Sequence, residues 1–284
     1  MSIKFSLKVS LLLFLSIFVA CAGTESRIKQ SNKLAIEHGF HRRVIEAGSF
    51  KVITFSRFEK KPEIATVFIE GDGFAFVDRN TASKNPTPKK PIGLKLALSD
   101  NSINVIYIAR PCQFILASED SNCSIEYWTD KRYSPKVVDS IGAVLDDYRK
   151  QQGIKGFRLV GFSGGATIAT ILAATRSDIV DLRTVAGNLD THAFTRVHKL
   201  SSLHESLNPA DYADSMHKLP QVHFLGSKDK VVTREVLESY LRAIKKSDSE
   251  LACVQLIVAE GVSHASGWER FWIESGARQI PICQ

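Results

Sequence analysis

The chain has 284 residues, 44% of them hydrophobic and 24% charged, values that fit an ordinary soluble globular protein. Lys and Arg number 37 against 30 Asp and Glu, a formal charge of +7. The basic residues are scattered, with no basic helix and no aromatic–basic interleaving, so the surplus reads as solvated surface and no nucleic-acid partner is expected.

Residues 1–23 read as a secretory signal. Lys4 and Lys8 precede a short apolar core, Val9 to Ala20, shorter than the roughly 20 residues that span a bilayer. The core runs into Phe18-Val19-Ala20-Cys21-Ala22. This resembles a bacterial lipobox, with Phe18 where Leu is usual, and implies lipidation of Cys21 and attachment to a membrane through that lipid. Cleavage after Ala20 or Ala22 as an ordinary signal peptide is the alternative. Either way the protein is expected to be exported, to the periplasm or as an envelope lipoprotein, with residues 24–284 forming one domain.

Residues 24–33 are polar and read as a linker, and Leu34 to Ala47 as a short helix. Phe50 to Phe55 alternates as a strand near a sheet edge, and Lys60-Lys61-Pro62 turns the chain. Ile64 to Ile69 is a strong β run ending at Glu70-Gly71-Asp72-Gly73. A proline-punctuated loop follows, Asp78 to Pro91, then a short helix over Ile92–Leu98 and a strand over Asn104–Ala109. Ser134-Pro135 starts a helix, Ser at the N-cap and Pro at the first helical position. Its apolar residues Val137, Val138, Ile141, Val144, Leu145 and Tyr148 share one face, and Gly153 ends it.

Phe157 to Val160 then enters a turn, Gly161-Phe162-Ser163-Gly164-Gly165, followed by an apolar run of helix length from Ala166. Strand, tight turn and helix around Gly-x-Ser-x-Gly is the setting that lifts a serine above a sheet edge, beside the free N–H groups of a helix start. Further strands are expected at Leu182–Gly187, Pro220–Gly226 and Cys253–Val258, with helices at Val231–Ile244 and Trp268–Gly276. The polar, His-rich segment 188–219 reads as a small cap of one or two helices. Strand and helix alternate from residue 64 onward, so a mostly parallel sheet with helices on both faces is expected.

A serine hydroxyl becomes a nucleophile when a base removes its proton, and an imidazole does so best when a carboxylate orients it. His264 is the histidine that follows the final strand, in Glu260-Gly261-Val262-Ser263-His264. His223 lies within a strand and is expected to pack, while His192, His198, His204 and His217 belong to the cap. Asp229 follows the preceding strand in Gly226-Ser227-Lys228-Asp229, with Asp190 as its rival for the acid. Ser163, Asp229 and His264 are therefore the candidate triad. Two N–H donors should receive the oxyanion: Gly164, directly after the serine, and Asp72 in the loop after the first parallel strand, with Gly73 second. Tyr127, Trp128 and Phe74 are expected to pack rather than line the site. No spacing resembles a metal site, and no cofactor is expected. Apart from Cys21, four cysteines can pair in three ways. Cys112–Cys123 across a short polar loop is favoured, which leaves Cys253–Cys283; free buried thiols are the alternative.

These residues carry a resemblance. The chain resembles an α/β-hydrolase fold serine hydrolase, and more particularly exported bacterial hydrolases of unassigned substrate. The matching pieces are Ile69-Glu70-Gly71-Asp72-Gly73, Arg110-Pro111-Cys112-Gln113, Cys123 with Tyr127-Trp128, Gly161 to Gly165, Gly226 to Asp229, and Ser263-His264. Glu70 stands where many such proteins carry His. The resemblance implies hydrolysis of a small acyl substrate through an acyl-enzyme, with carboxylic esters or thioesters first. Peptide or amide cleavage, acyl transfer to another acceptor, and a non-catalytic envelope binding protein are the alternatives.

Overall fold

A computed structural model describes residues 23–59, 63–247, 250–279 and 282–283. Residues 1–22 of the expected signal, with Cys21, and the turn Lys60-Lys61-Pro62 lie outside the described residues. Eight strands form one sheet: β1 (His41–Ala47), β2 (Phe50–Phe58), β3 (Ile64–Ile69), β4 (Asn104–Ile108), β5 (Gly156–Phe162), β6 (Ile179–Val185), β7 (Gln221–Gly226) and β8 (Val254–Ala259). Their order is β1-β2-β4-β3-β5-β6-β7-β8. β1, β2 and β4 pair antiparallel, and every pair from β4 to β8 is parallel. This is the mostly parallel sheet with helices on both faces expected from the alternation of strands and helices, in the α/β-hydrolase arrangement that the resemblance implies.

Side chains alternate across the sheet as the pleat requires. In β3, Ala65, Val67 and Ile69 enter one core and Phe68 the other; in β5, Phe157 and Leu159 enter the first, Val160 and Phe162 the second. The first core is covered by α3 (Pro135–Gln152) and α4 (Gly164–Thr175). The second is covered by α2 (Ile92–Leu98) and α8 (Trp268–Glu274), with Trp268 and Trp272 fully buried. A third cluster joins α4 to α7 (Arg234–Ile244). None of the described helices is long and apolar enough to cross a membrane.

The N-terminal region departs from the sequence reading. Residues 23–37 are helical (α1), not a linker followed by a later helix. Ala35 is fully buried, and Gly39, at φ 76°, turns the chain out of the helix. His41–Ala47 is then a strand, not helix: Ile45 and Ala47 are buried while Val44 and Glu46 face out. A tight turn at Gly48 pairs Ala47 with Phe50, so β1 is the edge and β2 lies inside it. The α3 signals hold, with Pro135 at the first position and Gly153 at φ 71° after the last turn. Ser134 occupies the N-cap through its backbone alone; its Oγ makes no cap bond. The structure joins Cys112 to Cys123 and Cys253 to Cys283.

Two glycines show how differently the same residue is used. A Cβ on Gly165 would collide with the carbonyl oxygens of Ile69 and Glu70, so β3 and α4 approach closely because the side chain is absent. A Cβ on Gly142, inside α3, would meet Leu172 at 3.5 Å and Arg176 at 3.8 Å, ordinary contacts. Gly165→Ala is therefore expected to destabilise by ~1–3 kcal/mol, the usual cost of overpacking. Gly142→Ala should stabilise by up to about 1 kcal/mol through helix propensity. Urea unfolding of both variants beside the parent chain measures the contrast.

Candidate active site

The parallel strands bring their C-terminal ends to one edge, where ligands of open α/β sheets bind. Ser163 stands between β5 and α4 at φ 51° and ψ −119°, a strained conformation for a residue with a side chain. The strain is held from both sides. The Ser163 N–H donates to Val185 O at 2.9 Å, and Ser163 O accepts from Ala166 N at 3.0 Å. Gly161 is needed because a Cβ there would strike the Ala166 backbone.

The structure brings the other two predicted residues to this serine. His264 Nε2 lies 3.0 Å from Ser163 Oγ, and His264 Nδ1 lies 2.8 Å from Asp229 Oδ2. A carboxylate only accepts, so the proton on the ring sits at Nδ1, and Nε2 is free to accept from the serine hydroxyl. The Asp229 side chain is fully buried while that of His264 is 19% exposed. Asp229 Oδ1 accepts from Val231 N at 2.8 Å and Val232 N at 3.0 Å, which fixes the carboxylate plane. His264 is steadied by the Phe162 ring, 5.4 Å away, and by Trp268 Nε1, which donates to its carbonyl at 3.1 Å.

Asp190, the rival acid, caps α5 (Thr191–His198) instead. Its Oδ1 accepts from His192 N and Ala193 N, and its Oδ2 from Ser239 Oγ. His223 packs as expected: it is fully buried beside Thr184, and burial pushes its pKa down to about 3. Among the described residues no group of three His, Cys, Asp or Glu is placed to hold a metal ion.

The loop after β3 lies against the start of α4. A Cβ on Gly164 would overlap Asp72 Oδ1 and come within 2.6 Å of the Tyr133 hydroxyl, so Asp72 sits directly over Gly164. No protein acceptor is bonded to the N–H of Asp72 or Gly164 among the described residues. The Asp72 carboxylate accepts from Arg110 Nη1 at 3.0 Å, Arg132 Nη1 at 3.2 Å and Tyr133 OH at 2.8 Å. Burial alone would raise its pKa; the Arg132 and Arg110 charges outweigh burial and hold it below the ordinary value.

Sequence reasoning missed this support, although its signal was the run Arg110-Pro111-Cys112-Gln113. Arg110 holds Asp72, Gln113 Nε2 donates to Gly71 O at 2.9 Å, and Cys112 ties the run to Cys123. Glu70 is a second strut. Its buried carboxylate accepts from the N–H groups of Gly71, Gly93 and Leu94 and from Tyr107 OH, at 3.0–3.1 Å. Burial raises its pKa against these four donors, which favour the ionised form.

A cavity of about 490 Å³ opens over Ser163 and His264. Phe74, Phe162, Phe194 and Val232 give it apolar walls. Phe74 therefore lines the site rather than packing away from it. Its backbone is tied to Pro86 O at 2.9 Å, which holds the ring toward the cavity. Tyr127 and Trp128 do pack, Tyr127 against Phe50 and Trp128 through Nε1 onto Ser83 O. The segment 188–219 contributes only Asn188 and Phe194 to the walls, so it borders the cavity rather than closing it.

Residues 80–254 match the family described as Serine hydrolase (FSH1). No curated protein matches the chain in sequence. Among solved structures, Est1E from Butyrivibrio proteoclasticus is similar at a TM-score of 0.58 and 14% identity, over 84% of this chain and 96% of its own. The esterase Pf2001 from Pyrococcus furiosus is similar at a TM-score of 0.60 and 13% identity, over 85% and 92%. A putative dienelactone hydrolase from Klebsiella pneumoniae is similar at a TM-score of 0.56 and 16% identity, over 84% and 95%. At these identities the likeness is one of fold.

Asp72 gives the site a pH signature. Its pKa is lowered in the folded state, so its stabilising contribution is present above the unfolded value near 3.8 and is lost as pH falls through the folded value. Asp72→Asn is expected to cost about 3 kcal/mol at neutral pH, at the low end for stranding a buried charge. The gap to the parent chain should shrink steadily below roughly pH 4. Denaturant midpoints across that range measure it.

Proposed function

The chain belongs to the Serine hydrolase (FSH1) family and is an esterase-like hydrolase, and we propose that it cleaves carboxylic esters or thioesters through an acyl-enzyme on Ser163. The observation that carries this reading is the unbroken chain from Asp229 through His264 to the Ser163 hydroxyl, at 2.8 and 3.0 Å. The likeness in fold to the Pyrococcus furiosus esterase Pf2001 supports it.

In this mechanism Ser163 Oγ attacks the substrate carbonyl carbon while His264 Nε2 takes the hydroxyl proton. Asp229 remains a carboxylate, holding the ring and stabilising the imidazolium. The carbonyl oxygen becomes an oxyanion and receives the N–H groups of Gly164 and Asp72. Collapse breaks the bond to the leaving group, which takes the proton from His264. A water then attacks the acyl carbon, gives its proton to His264, and the second collapse returns that proton to Ser163 Oγ. Nothing in this sequence of steps calls on a metal or an organic cofactor.

We further propose that the protein works outside the cytoplasm. Two disulfides within one small domain suit an oxidising compartment. The lipid on Cys21 belongs to the same proposal, and intact-mass analysis of the mature N-terminus tests it.

A fluorophosphonate probe should label the parent chain and fail to label Ser163→Ala, with both variants folded by circular dichroism. Asp229→Asn should lower kcat on a simple aryl ester by ~10³–10⁴-fold, since the imidazole then loses its orienting acceptor. Asp190→Asn should leave kcat within about twofold, a cap substitution costing only ~1 kcal/mol of stability. Damage from Asp190→Asn in place of Asp229→Asn would move the acid to the wrong strand and overturn the assignment.

A further inference from the structure

The cavity over Ser163 is apolar on most of its walls, yet one wall is cationic. Lys89 and Lys90 line it next to Pro88. Both are exposed, and neither forms an ion pair among the described residues. Two carboxylates share the lining, and both are already engaged. Glu70 accepts four donors, and Asp72 accepts from Arg110, Arg132 and Tyr133. Arg110 and Arg132 together offset the charges of Asp72 and Glu70, so the cluster beneath the cavity leaves no free carboxylate to neutralise the two lysines.

The two lysines sit on a braced segment rather than a free loop. Pro86 O accepts from Phe74 N at 2.9 Å, and Asn85 Nδ2 donates to Ile115 O at 2.9 Å. Thr87 Oγ1 accepts from Phe114 N at 2.8 Å, while Thr87 O accepts from Arg27 of α1. Gly73 comes so close to Pro86 that a Cβ would strike its carbonyl. The segment is thus fastened to the same loop that carries Asp72. Lys89 Nζ lies 3.8 Å from the Phe74 ring centroid, which orders the ammonium at the wall without neutralising it.

A cleft with apolar walls and unpaired charge of one sign focuses its field on whatever enters. A plain aliphatic ester would leave both ammonium groups without a partner. A substrate with an anionic group would pair with them, since lysine recognises carboxylate and phosphate as a point charge. We propose that the ester cleaved at Ser163 carries a second, anionic group, a carboxylate or a phosphate, bound by Lys89 and Lys90 on the wall beside Phe74. This rests on the reading of Ser163 as the nucleophile. Lys89 and Lys90 select the substrate and take no part in bond breaking.

Three matched aryl phosphonate inactivators test the proposal, identical in chain length and ending in a methyl, a carboxylate or a phosphate. The rate constant for covalent labelling of Ser163 is the readout. At low salt an anionic probe should label about tenfold faster than the methyl probe, equivalent to ~1.4 kcal/mol. The advantage should narrow at high salt as the field is screened. The double variant Lys89→Ala/Lys90→Ala should lower the anionic rate far more than the neutral one, bringing the ratio close to unity. Lys89→Arg/Lys90→Arg should keep most of the ratio, because the charge is kept. The faster of the two anionic probes identifies the group. Equal labelling by all three, or a ratio unmoved in the alanine variant, overturns the anionic substrate while leaving Ser163 as nucleophile. Failure of every probe to label Ser163 overturns the hydrolase mechanism and the inference with it.

Discussion

The site depends on one close approach, that of the α4 N-terminus to the end of β3. Gly164 and Gly165 permit it. Gly165 lets the first turn of α4 lie on the carbonyls of Ile69 and Glu70, and Gly164 lets Asp72 lie over the turn after Ser163. Two backbone segments distant in sequence are thereby brought together beside Ser163. Because a backbone donor moves only with its chain, the oxyanion site proposed at Gly164 and Asp72 would depend on how firmly these two loops are held together. The strain at Ser163, at φ 51°, is the local counterpart: a turn this sharp persists only when its surroundings determine it.

Those surroundings use buried charge as fasteners. Glu70 gathers three backbone N–H groups and a tyrosine hydroxyl, joining the β3 loop to the start of α2 and to β4. Asp72 gathers Arg110, Arg132 and Tyr133, joining the same loop to the stretches after β4 and before α3. A buried carboxylate is costly unless its oxygens are satisfied, and here each has partners. The arrangement is directional, which apolar packing is not. That suits a loop held at a fixed place beside Ser163.

Much of this was legible in the sequence, and the reasons differ by element. Strands β3 to β8 and helices α2, α3, α4, α7 and α8 were readable because apolar periodicity and cap residues agree there. Ser163, Asp229 and His264 were readable because each stands directly after a strand of a parallel sheet, and the structure brings the three within hydrogen-bond reach. The region 24–47 was misread because its polar composition hides a helix that buries only a few residues, Ala35 among them. Gly48 was not weighed as a hairpin turn, so β1 appeared helical. Glu70, Arg110, Arg132 and Tyr133 were not assigned roles because hydrogen bonds and ion pairs between residues far apart in the chain leave no periodic trace. Phe74 was expected to pack because the tether of its backbone to Pro86 is a tertiary fact.

The sign of the charge beside the oxyanion then follows from the count of partners. A carboxylate alone over Gly164 would oppose a developing negative charge. At roughly 5 Å and an effective dielectric of ~20, two like unit charges repel by about 3 kcal/mol, worth two orders of magnitude in rate. One arginine offsets the Asp72 carboxylate, and the second offsets that of Glu70 beside it. Arg110 is the buried member, with its side chain 4% exposed, and Arg132 the one that reaches the cavity wall. The ion pairs that brace the Asp72 loop therefore also offset the negative charge that this loop brings to the cavity floor. Lys89 and Lys90 then carry the cationic charge of the wall, where the proposed substrate would place the part that does not react. For the proposed anionic ester, binding energy collected there would hold the carbonyl against Ser163, which is how a remote group raises kcat rather than affinity alone.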